Sequence, residues 1–523
     1  MKKYTNIIVL AVLLVGAAAF LTYKNVNFND LMLKMGYYDK KISIINTADI
    51  HGHIVFDGDV GGYYSLDEVQ IIMGMPIMKH IADDIKSKNK DCLFLDSGDM
   101  FHGTNEANIG KGKGVVDVAN NMGYDAMTIG NHDFNFGFDR MMEIKKQLNF
   151  PMLSANIYQN GKPAFQQYKI VEVGGKKIGL FGLTVQDALI YTNSRDNKGV
   201  SIEDPVKAAA KVVPLLRKSC DMVILISHLG DDIDRQVIKK VNGIDLVLCG
   251  HHHFLYKKAK KVKDTYLVEA GGYSTHVGVA NVYFKKGKVS KVVWKAISKK
   301  NKSFADPKTD SIAEKYHAIA MEASKVKVGH SKITLDGLRS HVRGQETNLG
   351  DLLADAMRVQ GDADIALMNG GGIRESIPKG NINLYQIGRS LPFINSLVTI
   401  KVKGDKIYKA LERSVRLYPN SGMNGGFLQV SGIHYVFDGS KPAGERIVKV
   451  TKDGKPLDKD KYYKVATNDY LYNGGDGYSE LKSAKLLSNG ELLKDVLAKY
   501  IKSKVKVDSK VEGRIKVINE RYK

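Results

Sequence analysis

From Lys41 onward the chain repeats one pattern of organisation: a short apolar run, a polar cluster at its end, then a helix-like stretch. The apolar runs fall at 42–46, 92–95, 126–129, 178–183, 222–226 and 244–248. Runs this short, bounded by polar turns, have the length of buried strands. Helical periodicity fills 74–88, 114–122, 140–148 and 204–218 between several of them. Strand and helix alternating in this way restrict the fold to a layered α/β domain. A Lys-rich break at 299–306 leads into a helix over 310–325, read as a linker. Beyond it, helices at 349–359, 404–417 and 491–502 and strand-like runs at 365–368, 396–402 and 447–450 predict a second α/β unit. The expected division is therefore 1–24, 41–300, 301–325 as linker helix, and 326–523.

With 523 residues the chain can form about three folding units, and 43% hydrophobic residues supply packed cores, so disorder is excluded. A formal charge of +22 suits anionic partners. The lysines lie in mixed, solvated stretches such as 257–263 and 299–302 with few aromatics among them, so no specific nucleic-acid partner is expected. Three cysteines exclude a disulfide scaffold and a Cys-based zinc finger. Cys92, Cys220 and Cys249 sit beside apolar runs and read as inert thiols. At the amino end, Lys2 and Lys3 precede an apolar run over 7–21, short for a bilayer span but right for a signal-peptide core. Ala17-Ala18-Ala19 offers a cleavage pattern, while Phe20 to Tyr23 could extend the run into an uncleaved membrane anchor, and both readings stay open. The expected address is exported: periplasmic, cell-surface or secreted, with any tether at the amino end.

The polar clusters carry the chemistry. They read Asp49-Ile50-His51-Gly52, Gly98-Asp99, Gly130-Asn131-His132-Asp133, Ser227-His228 and Gly250-His251-His252-His253. Each falls just past a strand-like run, where open α/β sheets place ligands. One Asp-x-His is weak, because a lone histidine is more often a hydrogen-bonded core or surface residue. All these clusters in one domain supply carboxylate, imidazole and amide donors from several strands, the set that two divalent ions need. Asp99 is the expected bridge between the ions. Asp49 and His51, two apart on a strand end, are expected to project to one side and hold one ion, with Asn131, His228 and another histidine on the second. Two ions about 3.5 to 4 Å apart generate hydroxide near neutral pH and stabilise charge on phosphate oxygens. A Gly-x-Gly-x-x-Gly loop at the first strand and a P-loop are both absent, so dehydrogenase and kinase readings lack their anchors.

This ordered set resembles the calcineurin-like metallophosphoesterases, and the chain over about residues 41–516 resembles the 5'-nucleotidase and UDP-sugar hydrolase family. The resemblance implies a four-layer αββα first domain, a linker helix and an α/β substrate-binding domain. It further implies two divalent ions, Mn, Zn, Co or Fe, held by Asp49, His51, Asp99, Asn131, His228, His251 and His253. His132 matches the family's catalytic histidine, which stabilises the phosphate transition state. His53, His102 and His252 have no counterpart and are expected in local hydrogen bonds or in solvent. The family usually carries an Asp three residues after the catalytic histidine; here stands Asn135. Its amide oxygen can accept the His132 N–H and fix the tautomer, but it supports an imidazolium less well. Asn135 and the closing His253 also look like the related 2',3'-cyclic nucleotide phosphodiesterases.

In the second half, Asn369-Gly370-Gly371-Gly372-Ile373-Arg374 follows a strand-like run, and its glycines permit close backbone approach. Arg339 and Arg343, four residues apart, could join Arg374 in a clamp for carboxylate or phosphate. Phe393 and Tyr478 stand in loop-like contexts and could stack on both faces of a base. These segments resemble the 5'-nucleotidase C-terminal domain, which implies substrate contacts from Arg339, Arg343, Asn369, Gly371, Arg374, Phe393, Asp476 and Tyr478. Val511-Glu512-Gly513-Arg514-Ile515 matches the family's terminal signature. The resemblance also implies domain rotation about a hinge near 325–332. The expected function is exported two-metal hydrolysis of nucleoside 5'-monophosphates by metal-activated water. A 2',3'-cyclic nucleotide 2'-phosphodiesterase, a UDP-sugar or dinucleotide hydrolase and a nonspecific nuclease stay open as alternatives. A surface binding protein is the non-enzymatic one.

Overall fold

The computed structural model describes residues 28–60, 70–191, 197–391, 393, 395–419, 424–482, 484–504, 507–508 and 510–519. The expected leader over 1–24 lies outside the described residues. The chain divides into two compact units, the first of 1–102, 106–189 and 197–316, the second of 103–105, 190–196 and 317–523. The helix Pro307–Ser324 runs across that division in sequence.

The first unit is built on strands β1 (Lys40–Thr47), β2 (Cys92–Asp96), β3 (Ala126–Thr128), β4 (Met152–Leu153), β5 (Tyr168–Val173), β6 (Lys176–Thr184), β7 (Met222–His228), β8 (Leu246–Cys249), β9 (Lys260–Val262), β10 (Thr265–Glu269), β11 (Val277–Lys285) and β12 (Lys288–Ile297). They form two six-stranded sheets, β12-β11-β1-β2-β3-β4 and β9-β10-β8-β7-β6-β5. Along β1 and β2 alternate residues part to opposite faces, as the pleat demands. Ile42, Ile44, Leu93 and Leu95 enter a core shared with the second sheet, and Ile45 and Phe94 enter a core with the helices. Helices Gly74–Lys88, Lys113–Met122 and Phe138–Gln147 cover the first sheet through Met78, Ile81, Val118 and Ile144. Pro205–Arg217 and Asp231–Lys240 cover the second through Val212, Leu216 and Ile238. The result is the four-layer αββα arrangement. β1, β2, β3 and β4 are mutually parallel, as are β6, β7, β8 and β10, so loops leaving their carboxyl ends can converge.

The sequence pattern misses the β11–β12 hairpin on the far edge of β1. Its turn is Lys286-Gly287, both with left-handed backbone (φ 51° and 74°), and Lys285 pairs directly with Lys288. A lysine replaces the Asn or Asp that usually flags such a turn.

The second unit holds β13 (Ile365–Asn369), β14 (Ser396–Lys403), β15 (Leu428–Ser431), β16 (Tyr462–Asn468) and β17 (Lys485–Leu492) in the order β15-β13-β16-β14-β17. Helix Asn348–Gln360 packs on this sheet and starts where Thr347 Oγ1 accepts the Gly350 N–H at 3.1 Å. A smaller sheet joins His434–Asp438 to Ile447–Lys452 and Ile515–Ile518. Among the described residues no helix is long and apolar enough to cross a membrane.

Candidate functional site

In the first unit the carboxyl ends of β1, β2, β3, β7 and β8 deliver one buried cluster. Asp99 Oδ2 lies 3.1 Å from His228 Nε2 and 3.6 Å from His51 Nε2. Asp49 Oδ1 lies 3.4 Å from His253 Nε2 and 4.0 Å from His228 Nε2. Asn131 Oδ1 sits between His251 Nδ1 at 2.9 Å and His228 Nε2 at 3.2 Å. Two donor groups emerge, Asp49 with His51 and His253, and Asp49 with Asp99 and His228. Their ligand atoms all lie within 4.8 Å of one another in each group, so carboxylate and imidazole donors fit divalent ions. Asp49 is common to both groups, while Asp99 faces an imidazole of each.

The expected strand geometry at Asp49 and His51 is corrected. β1 ends at Thr47, and Asp49 (φ 52°), His51 (φ 48°) and Gly52 (φ 74°) take left-handed backbone, so the two donors converge through a tight loop. Asp99, His251 and His253 share that conformation, with φ of 56°, 83° and 58°. Non-glycine residues held there are strained, and such strain gathers at functional sites. Gly130 has no choice of side chain, because a Cβ would stand 2.0 Å from Asp99 Oδ1.

Carbonyls set the imidazole tautomers. His228 Nδ1–H donates to the Ser97 carbonyl at 2.7 Å, and His51 Nδ1–H to the His102 carbonyl at 3.2 Å, which turns both Nε2 atoms towards the carboxylates. Burial opposes charge on His228, but the Asp99 and Asp49 carboxylates overcome it and raise its pKa to about 10. Burial lowers His51 and His251 well below the ordinary range. Burial would raise Asp99, yet His228, His132 and His51 together hold its carboxyl well below the usual carboxylate value.

Sequence reasoning assigns no role to Asp133, and the structure gives it a central one. Its carboxylate accepts from the backbone N–H groups of Asp99 (3.1 Å), Met100 (3.0 Å), Phe101 (3.2 Å) and Gly130 (2.9 Å), binding the β2 and β3 loops together. The only cue in the sequence is its place within the His132 cluster. His132 donates its backbone N–H to Asp99 Oδ1 at 2.7 Å. The Asn135 amide nitrogen, not the expected oxygen, faces the imidazoles: Nδ2 lies 3.3 Å from His132 Nδ1 and 3.1 Å from His102 Nδ1, and the two imidazole planes are 5° apart. His102 is thus hydrogen-bonded, as expected of it, but inside the site. His53 donates to the Ile50 carbonyl at 3.0 Å, and burial lowers its pKa to about 4.

In the second unit, Asn369 ends β13 and its amide donates to Asp476 Oδ2 at 3.2 Å. Gly371 approaches so closely that a Cβ would meet the Gly425 carbonyl at 2.9 Å. Arg374 donates to the Gly371 carbonyl at 3.4 Å and lies over the Phe393 ring, 5.6 Å from its centroid. Arg343 is buried; burial, Arg339 and Arg374 lower its pKa to about 10, against Asp476. Tyr478 is a correction: its ring is 0% exposed and its hydroxyl donates to the Gly426 carbonyl. The core needs its bulk, so of the expected stacking pair the structure presents only the half-buried Phe393 ring. Pro392 lies outside the described residues.

Comparison with known proteins agrees with both halves. The calcineurin-like phosphoesterase model matches residues 42–255, and the 5'-nucleotidase C-terminal domain model matches 327–483. The trifunctional nucleotide phosphoesterase protein YfkN of Bacillus subtilis is 31% identical over 93% of this chain, which spans only 35% of that longer protein. The 5'-nucleotidase of Bos taurus is 30% identical over 91% of this chain and 90% of its own. The crystal structure of a 5'-nucleotidase precursor from Thermus thermophilus superposes with a TM-score of 0.62, at 32% identity, over 92% of this chain and 100% of that one. Carboxylates and imidazoles gathered at strand ends, followed by a nucleotidase-type second unit, place this chain in the 5'-nucleotidase family of metal-dependent phosphoester hydrolases.

Proposed function

We propose that this chain is an exported hydrolase of nucleoside 5'-monophosphates that works with two divalent ions. The observation that carries the reading is the pair of donor groups sharing Asp49. Asp49, His51 and His253 would hold one ion and Asp49, Asp99 and His228, with Asn131 and His251 beside them, the other, and when bound these ions supply Lewis acidity at the phosphate and lower the pKa of the attacking water. Asp133 keeps the Asp99 and Asn131 loops in place through its four N–H acceptances. With Nδ1 against the Asn135 amide, His132 keeps Nε2 for a phosphate oxygen or the departing ribose oxygen. In the second unit the Phe393 face stacks the base, Asn369 and Asp476 bond the nucleoside, and Arg339, Arg343 and Arg374 supply hydrogen-bond donors and positive charge to the nucleotide. Export is inferred from the basic and apolar amino end; N-terminal sequencing of protein recovered outside the cytoplasm tests it.

Asn135 favours a second reading, a 2',3'-cyclic nucleotide phosphodiesterase, because an amide supports a protonated histidine less well than a carboxylate. The deciding experiment gives the protein AMP and 2',3'-cyclic AMP side by side with Mn²⁺, with and without chelator. Faster, chelator-sensitive release of adenosine from AMP supports the monophosphatase. Faster opening of the cyclic ester contradicts it in favour of the diesterase.

A further inference from the structure

The loop Gly271-Gly272-Tyr273-Ser274 presses on the donor cluster from the end of β10. Tyr273 has φ 58° and Ser274 φ 54°, both left-handed. A bulky aromatic in that region is a genuine outlier, retained only where its surroundings over-determine it. Part of the constraint is backbone: the Tyr273 N–H donates to the Asp49 carbonyl at 2.7 Å, and a Cβ on Gly272 would stand 3.2 Å from both Asp49 Cβ and His253 Cγ. Glycine would satisfy that backbone without strain. The ring is what glycine cannot supply.

That ring lies among three imidazoles. It stacks on His51 with centroids 5.2 Å apart and planes 26° apart, and it meets His253 edge-on at 4.7 Å and 76°. His53 stands against it at 5.1 Å and 84°. His51 and His253, which meet Asp49 in one donor group, have their Nε2 atoms 3.3 Å apart. Two imidazoles brought that close need their planes fixed if both lone pairs are to face one ion. We propose that Tyr273 is a positioning residue for the metal centre: its ring sets the planes of His51 and His253, and its strained backbone anchors it to Asp49. This rests on the metal reading above.

The test uses full-length wild type, Tyr273→Gly and Tyr273→Phe, each stripped with chelator and titrated with Co²⁺ while the visible absorption of the bound ion is recorded. Tyr273→Gly relieves the backbone, so its melting temperature should be no lower than wild type. Its affinity for one of the Co²⁺ ions should fall about 10- to 100-fold, with a changed absorption band. In kinetics kcat should fall while KM for AMP stays within about twofold. Tyr273→Phe should reproduce the wild-type spectrum and affinity, because the ring and not the hydroxyl is required. Tyr273→Asn, also tolerated in left-handed backbone, is read by the same criteria if the glycine variant does not fold. Wild-type affinity and spectrum in the Gly or Asn variant would overturn the proposal, as would a Phe variant as damaged as the Gly one. Failure of wild type itself to take up Co²⁺ would overturn the metal reading and this proposal with it.

Discussion

Arg514 and Arg343 are both buried arginines of the second unit, and their surroundings are opposite in sign. Arg514 Nη2 donates to Asp355 at 2.9 Å and to Glu512 at 2.8 Å, Nη1 donates to the Val430 carbonyl at 2.9 Å, and Nε lies 3.7 Å from Asp351. Burial opposes its charge, but these carboxylates raise its pKa above the ordinary value. Glu346 completes the clasp by accepting the N–H groups of Glu512, Gly513 and Ile515. Around Arg343, burial and the neighbouring Arg339 and Arg374 push the pKa down to about 10. One network balances its own charges and fixes the terminal strand; the other gathers Arg339, Arg343 and Arg374, with Asp476 opposing them, and is the one proposed to meet the substrate. The donor cluster of the first unit has the opposite preference: the Asp49 and Asp99 carboxylates face imidazoles, with His51 and His253 nitrogens 3.3 Å apart, a set that suits a cation.

The sharpest break of this contrast is in the first unit. Asp99→Asn should lower AMP turnover on the order of 10³-fold at saturating Mn²⁺ without lowering the melting temperature, because Asp99 belongs to a charge cluster built for a ligand. Retained turnover would remove the cluster from the chemistry. Next come the two arginines. Arg514→Ala should cost about 3 to 5 kcal/mol in denaturant unfolding and leave KM for AMP unchanged in the folded fraction. Arg343→Ala should leave stability unchanged or higher and raise KM roughly 10- to 100-fold. An exchange of these outcomes would break the comparison.

A smaller effect, about tenfold, is expected for Asn135→Asp: a carboxylate beside His132 should raise AMP turnover more than cyclic diester turnover. Equal gains on both substrates would contradict the role given to this position. The clasp also carries a pH signature. Burial raises the Asp351 carboxyl to about 8 against Arg514, with Glu346 adding to the rise. A raised carboxyl binds its proton more tightly folded than unfolded, so stability declines as pH climbs from the ordinary 3.8 through about 8, by at most about 1.4 kcal/mol per pH unit. Calorimetry from pH 5 to pH 9 should show a shallower decline in Asp351→Asn than in wild type, the buried Asp133, Asp234 and Glu269 carboxyls supplying the rest. Smallest of all, Tyr478→Phe should cost about 1 kcal/mol of stability, for the lost bond to Gly426, and leave KM unaltered. A large KM change would restore Tyr478 as a base contact.

Much of the fold was legible because buried parallel strands are short unbroken apolar runs, and six of them coincide with β1, β2, β3, β6, β7 and β8. The donor residues were legible because their types cluster at those strand ends. Backbone conformation was not: nothing in Asp49-Ile50-His51 announces left-handed φ in a non-glycine residue, so the route by which the donors converge was misread. Asp133 and Tyr273 escaped notice because their roles depend on loops distant in sequence, the Asp133 carboxylate on Asp99 to Phe101 and the Tyr273 ring on His51. Burial of Tyr478 is a packing outcome that its loop-like Gly-rich context conceals.

We propose above that one buried donor cluster is a two-ion hydrolytic centre. Its most direct test is phosphate release from AMP by chelator-stripped protein as Mn²⁺ is added in measured equivalents, with bound metal counted in parallel. No release is expected without metal, and the rise should break at two ions per chain; release without metal, or saturation at one ion, would contradict the claim.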